Sequence, residues 1–599
     1  MPKKKVAVSY TSRDFVSIKN ELVQYAKRYY PDTFRDFNEA GFGSLLLDTV
    51  AYVGDMLSFY VDYQANESFL STALEYDNII KLSKQLGFKL DLAPSSVGVA
   101  SFYIIVPANT IGTGPDTSYL PVLEKGSEFM TADGRGFILN EDVNFANTRF
   151  VAGKVSARQD PDTGNTTYFA IKAYGQVMSG QLVRETAQVG TFEKFKRVRI
   201  SGNNITEIIS VTDSDGNEYH EVDYLSQDVV YKSLKNRGTN ADSVQSLLTA
   251  VPVPRRFTVE RQRTQVYLQF GFGSDSELTT KSVADPSNVV LDVHGKDYFS
   301  DKTLDPNNLI ATDKLGVGPS NTTLTVVYRV NNSSNMNVAP TALDTVANPS
   351  FRFPNFASLS ANAATAVMNS LEVSNEDSIV GSISYPTSEE LKHRAFSHFA
   401  TQNRAVTKQD YISMIYNMPS DLGAIKRCNI VQDKDSFKRN LNLYVISEDS
   451  SEKLVETNST IKQNLKNWLA SVKMVNDTID ILDARLVNLG IEFVAIADVE
   501  ANRFDVLKDV QDALAEHFEI LPNIAQPFYI SDIYNVINDV GGIVDVVTVD
   551  ITKKEGSNYS TVSFVIEDYQ SADGRYIAFP ENFIWEIKYP DSDIKGTLK

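Results

Sequence analysis

Cysteine is almost missing from this sequence: Cys428 is the only one in 599 residues. An intramolecular disulfide is therefore excluded, as is a four-cysteine zinc site. Cys428 reads as a buried structural thiol in a strand. Histidine is scarce too, with five, at positions 220, 294, 393, 398 and 517. His393 and His398 are five apart on an expected helix, so they do not share a face as metal ligands would. No stretch approaches ~18 uninterrupted apolar residues, so no membrane span is expected. Residues 1–8 are basic but lack the apolar run of a secretory signal. Positive charge is in deficit, 57 Lys and Arg against 76 Asp and Glu, a net −19 that argues against nucleic-acid binding.

Catalytic patterns are missing as well. The sequence holds no phosphate-binding Gly-x-x-x-x-Gly-Lys-Ser/Thr loop, no Gly-x-Ser-x-Gly elbow and no His-Glu-x-x-His helix. Asp213-Ser214-Asp215-Gly216-Asn217 has its glycine two positions too early for a calcium loop and reads as a hairpin turn. No carboxylate pair stands out for glycoside chemistry. The expectation is a protein without enzymatic activity, cofactor or metal.

What is present is core material. The chain is 42% hydrophobic and 10% aromatic, enough for three or four domains. Its patterning predicts an α+β multidomain protein with an N-terminal helical bundle segment, a β-rich middle domain, and small C-terminal α/β modules with a β tail. The expected boundaries are residues 1–96 (helical), 97–350 (β-rich with long loops), 351–386 (an Asn-, Ala- and Ser-rich linker), 387–552 (α/β modules) and 553–599 (β tail).

The helical region centres on residues 37–88. Leu46, Val50, Val53, Leu57 and Tyr60 recur at the 3–4 spacing of one helix face. Leu45, Thr49, Tyr52, Met56, Phe59 and Tyr63 lie one position earlier and widen the stripe, while Asp48, Asp55 and Asp62 form an acidic line. A second helix is expected over about residues 71–86, ending at Gly87 in a left-handed cap. Two readings stay open: a hairpin packed on its own domain, or a bundle that buries part of the stripe against other chains. Before it, a helix with Phe15, Ile18, Leu22 and Tyr25 on one face should start at a cap near Thr11 and stop before Pro31.

From residue 97 the period becomes two, with strands around 99–106, 126–130 and 137–140 and the turn former Asp133-Gly134. Residues 285–320 read as a long inserted loop. In the last third, Thr387 or Ser388 opens a helix, and Thr407 with Asp410 makes a capping box. Strands and helices then alternate: helices at 452–472 and 504–518, and one capped by Ser531.

Several of these motifs carry a resemblance. Asn38-Glu39-Ala40-Gly41 before the long helix, Asn66-Glu67-Ser68-Phe69 after it, and Leu86-Gly87-Phe88 resemble the N-terminal signature of baseplate wedge proteins of contractile-tailed bacteriophages, the family of J-like baseplate proteins. Phe270-Gly271-Phe272-Gly273 is similar to a family element in the middle domain, and Arg404-Ala405-Val406-Thr407 with Asp410-Tyr411 is the most specific match. In that frame Asn66, Glu67, Gly87, Arg404, Thr407, Asp410 and Tyr411 are structural, Arg404 spanning helix and turn through charge-assisted hydrogen bonds.

The resemblance implies a multi-copy structural subunit of the virion tail baseplate, made and assembled in the host bacterial cytoplasm. It implies self-pairing through the C-terminal modules in a dimer that closes a ring around the hub. The N-terminal helices, with Leu46, Val50, Val53, Leu57 and Tyr60, would meet other wedge proteins near the sheath-initiating lysozyme-fold baseplate protein. Such a subunit would relay the change that triggers sheath contraction. The alternatives are a tail-associated polysaccharide-degrading enzyme, which a β-helix repeat would favour, and a passive receptor-binding module, which would be mostly β. Neither pattern is seen.

Overall fold

The computed structural model describes residues 14–30, 41–90, 92–109, 114–147, 150–161, 165–235, 246–262, 265–273, 315–354, 356–433 and 440–599. The cap candidate Thr11, the turn residues Asn38, Glu39 and Ala40, and most of the expected 285–320 loop lie outside them. Among the described residues the α-helices longer than four residues are α1 (Phe15–Tyr29), α2 (Phe42–Asn66), α3 (Tyr76–Gln85), α4 (Ala361–Asn369), α5 (Ser388–Thr401), α6 (Lys408–Tyr416), α7 (Ser459–Val472), α8 (Arg503–His517) and α9 (Ile530–Asn538). The chain divides into two compact units, Met1–Leu90 with Pro386–Phe399, and Asp91–Tyr385 with Ala400–Lys599.

The first unit is helical. Asp14 caps α1 by accepting from the Ser17 N–H at 3.1 Å, so the cap falls on Asp14 itself. Lys27 and Arg28 complement the dipole in the last turn, and the helix stops before Pro31. α1 packs along α2, where Lys19 meets Asp48 at 2.7 Å. Gly54 keeps that contact close, since a Cβ there would lie 3.3 Å from Ile18 Cδ1.

The expected helix at 71–86 begins later, at Tyr76, because residues 67–73 fold into tight turns instead. It ends as anticipated. Gly87 sits at φ +86°, its N–H donates to Lys84 O at 3.0 Å, and the Phe88 N–H reaches Ser83 O at 3.1 Å, a Schellman closure. The core of this unit joins Leu70, Ala73, Ile79, Ile80 and Phe88 to Leu391 and Ala395 of α5. Residues 387–399, expected to open the α/β modules, thus belong with the N-terminal helices. Their apolar 391/395 pair gives the reason.

The second unit begins with two β layers rather than one middle domain. In the first, Val97–Pro107 pairs antiparallel with Thr166–Ser179 along its whole length. Ala100, Phe102, Ile104 and Val106 face the core at period two, as the alternation predicts. The segment 351–386 is not a linker. It supplies α4, and Glu372–Ser374 pairs with the edge of Val97–Pro107. Ala364, Val367, Leu371 and Val373 are buried there, so its small-residue composition reflects close packing. The second layer is a seven-stranded sheet from Gln181–Val189 to Arg197–Ile200, with its own core around Phe257, Leu268, Phe270, Leu324 and Tyr328.

Two α/β modules follow, built on different plans. In the first, Asn440–Glu448 crosses through α7 to the parallel strand Thr478–Asp483, and Arg427–Gln432 pairs on the other side. α7 starts at Ser459 with Asn458 as cap, seven residues later than expected. In the second, Arg485–Ala497 is central, antiparallel to Ile543–Lys553 and parallel to Phe583–Glu586 and Ile594–Leu598. The expected β tail at 553–599 is therefore part of this sheet, with Trp585 in its core. Ser531 lies inside α9, whose N-cap is Tyr529.

Candidate functional site

The helical unit buries little of its longest element. Within α2 only Ser44 and Ala51 are buried, on the small and acidic face that also carries Asp48 and Gly54 against α1. The apolar stripe points elsewhere. Leu46, Val50, Val53, Leu57 and Tyr60 are 49–59% exposed, and Leu45, Tyr52, Met56 and Phe59 are exposed as well. Among the described residues of this unit α2 packs chiefly on α1, through its polar face.

Exposed apolar surface of this extent is unusual for a monomer. Fully burying one such side chain contributes roughly 1.5–3 kcal/mol, so covering the stripe would offset a large ordering cost. By length and composition α2 is apolar enough to cross a bilayer. Asp48, Asp55 and Asp62 on one line weigh against that, as a carboxylate at a bilayer centre is costly.

The turn after α2 is held by Glu67. Its buried carboxylate accepts from Leu74 N–H at 2.7 Å, Glu75 N–H at 3.2 Å and Asn78 Nδ2 at 2.9 Å. These bonds, Asn78 first, hold it below the usual carboxylate range. Asn66 ends α2, and its carbonyl accepts from Thr72 Oγ1 at 2.7 Å. Tyr63 donates its hydroxyl to Glu75 at 2.9 Å, which raises the phenol. The Asn-Glu step therefore turns the chain from α2 into α3.

The second motif lies in the other unit. Thr407 Oγ1 accepts from Asp410 N–H at 3.2 Å while Asp410 Oδ2 accepts from Thr407 N–H at 2.8 Å, a reciprocal capping box on α6. Tyr411 is buried and donates to Asp477 at 2.6 Å; burial, then that bond, pushes the phenol up. Arg404 departs from expectation. Its side chain is exposed and has no hydrogen-bond or ion-pair partner among the described residues, so the turn is held by the cap and by Ala405 packing.

Among the described residues no group of three or more His, Cys, Asp or Glu side chains could hold a metal. Asp213 is used up within its turn, accepting from Asp215 N–H, Asn217 N–H and Asn217 Nδ2 at 2.8–3.0 Å. His398 lies edge-on to Phe88, and burial pushes its imidazole down.

No curated protein matches the chain. Two solved structures align along much of it. One is the cryo-EM structure of the anti-feeding prophage baseplate, at 8% identity over 97% of this chain and 99% of that one, with a TM-score of 0.25. The other is the TssK-TssF-TssG baseplate subcomplex of the type VI secretion system, at 10% identity over 74% and 96%, with a TM-score of 0.23. Both scores are too low to say that the folds are shared. The likeness of sequence is local and falls on the helices just described: residues 14–85 match the family model of the bacteriophage baseplate protein, N-terminal domain.

Proposed function

We propose that this chain is a structural, non-enzymatic subunit of a contractile-tail baseplate wedge. In this reading several copies connect the wedges into a ring around the hub and relay the rearrangement that triggers sheath contraction. The observation that carries it is the uncovered apolar face of α2 inside a segment similar to a baseplate N-terminal domain. Leu46, Val50, Val53, Leu57 and Tyr60 form the interface with another chain, either a second copy or another wedge protein near the lysozyme-fold sheath initiator. The C-terminal modules pair with a second copy. The site of action is the virion tail baseplate.

The test is paired. Leu46→Asp and Leu57→Asp are made in the full chain, which is followed by thermal unfolding alone and by co-sedimentation with the baseplate proteins of the same virus. Both side chains are already half exposed, so unfolding should move by no more than a few degrees, while co-sedimentation is lost because a carboxylate would be buried at the interface. A sharp fall in unfolding temperature with assembly intact would reduce α2 to an ordinary core helix. Flotation of the wild-type chain with lipid vesicles would replace the partner chain by a membrane.

A further inference from the structure

Ala93-Pro94-Ser95-Ser96-Val97 straddles the expected boundary between the helical region and the β-rich domain. In the structure Ser95, Ser96 and Val97 are fully buried. They are bonded to three separately cored parts of the second unit. Towards the first β layer, Ser96 N–H donates to Ser179 Oγ at 2.9 Å, and Ser179 N–H donates back to Ser96 O at 2.8 Å. Towards the second, Ala93 N–H donates to Ile205 O at 2.9 Å, Arg329 Nη1 to Ser95 Oγ at 3.0 Å, and Asn331 Nδ2 to Pro94 O at 3.2 Å. Towards the first α/β module, Ser95 N–H donates to Ser420 O at 2.9 Å and Asn458 Nδ2 to Val97 O at 2.6 Å.

Asn337 extends the junction. It accepts from Ser96 Oγ at 2.8 Å and Ser382 N–H at 3.0 Å, and donates to the carbonyls of Ser382 and Glu448, both at 2.7 Å. Arg329 is 1% exposed, and its second arm meets Glu207 at 3.1 Å, with Asp421 adding negative charge nearby. The approach is tight: Gly381, at φ +124°, could carry no Cβ without placing it 2.7 Å from Ser95 O.

We propose that residues 93–97 are a coupling joint, whose hydrogen bonds lock the two β layers and the first α/β module into one body and whose release lets them move separately. The reason lies in what fills the junction. Each part keeps an apolar core, whereas the groups that meet here are mainly Ser, Asn and Arg, with Val97, Val380 and Met178 adding apolar contacts to the core of the module. Polar groups can be taken over by water when a joint opens, but a half-satisfied buried network is costly, so opening is concerted.

Hydrogen exchange of the full chain tests this, with Thr166–Ser179, Thr322–Val330 and Asn440–Glu448 reporting the three parts and Ile543–Lys553 as reference. Asn337→Ala removes the branching residue; Ser96→Ala removes one hydroxyl and keeps the test decisive if the first variant does not fold. Each variant should raise exchange in all three reporters by a common factor, about tenfold for the loss of one buried hydrogen bond, with the reference unchanged. A rise confined to one part, an equal rise in all four segments, or no rise would each overturn the proposal.

Discussion

Glu586 shows how a single buried group ties neighbouring sheets together. It is 1% exposed at the end of Phe583–Glu586. Its carboxylate accepts from the Leu454 N–H of the preceding module at 3.0 Å and from Asn488 Nδ2 at 3.3 Å. Burial, foremost, pushes the acid up to about 7 from 4.5, against the Leu454 N–H, Lys453 and Lys588, while Asp449 adds to the rise. The folded value lies above the unfolded one, so the protonated acid favours folding. That contribution is complete below about 4.5 and is lost as pH rises through about 7. Glu586→Gln fixes the neutral form. It should stabilise the second unit at pH 8 by up to about 3 kcal/mol and flatten the dependence between pH 5 and 8. Thermal melts of both proteins at pH 5, 6, 7 and 8 check this, and parallel curves would mean that the carboxyl does not titrate in that range.

Elements differ in how much of their role their own residues declare. The stripe of α2 was legible because 3.6-residue periodicity is a local property. Its partner was not, since the choice of α1 over the later helix depends on Gly54 and Asp48 meeting Ile18 and Lys19 across a turn. The α6 cap was legible for the same local reason. Thr407→Ala should cost about 1 kcal/mol and Thr407→Ser much less, measurable as a shift in denaturation midpoint. Equal midpoints for all three would show the box to be redundant with the Ala405 packing. The expected linker and tail misled because edge pairing is non-local: nothing in Glu372–Ser374 or Phe583–Glu586 names the strand it will join. Arg404 misled differently, as its sequence neighbourhood resembles a motif while its side chain points into solvent. Glu586 and Arg329 were invisible, since nothing local distinguishes a buried ion from an exposed one.

At the scale of the molecule, the two units carry different spectroscopic labels. The chain has two tryptophans, and both lie in the second unit. Trp468 donates to Met414 O at 2.9 Å and Trp585 to Gln526 O at 2.9 Å, so their fluorescence reports that unit alone. Far-ultraviolet circular dichroism also sees α1, α2 and α3. Among the described residues the first unit rests on one small cluster of seven buried hydrophobic residues and leaves α2 largely uncovered, whereas the second holds several larger cores. Unfolding should therefore not be two-state. The helical signal should begin to fall at a lower temperature than the fluorescence changes. Ligand linkage then separates a partner for α2 from one for the modules: whatever binds only the folded helices raises only their transition, by RT ln(1 + [L]/Kd). Adding the baseplate partner proposed for α2 at a hundredfold excess over Kd should raise the first transition by about 2.7 kcal/mol of stability and leave the tryptophan transition in place. Movement of the tryptophan transition alone would put the partner on the modules and leave the face of α2 without one.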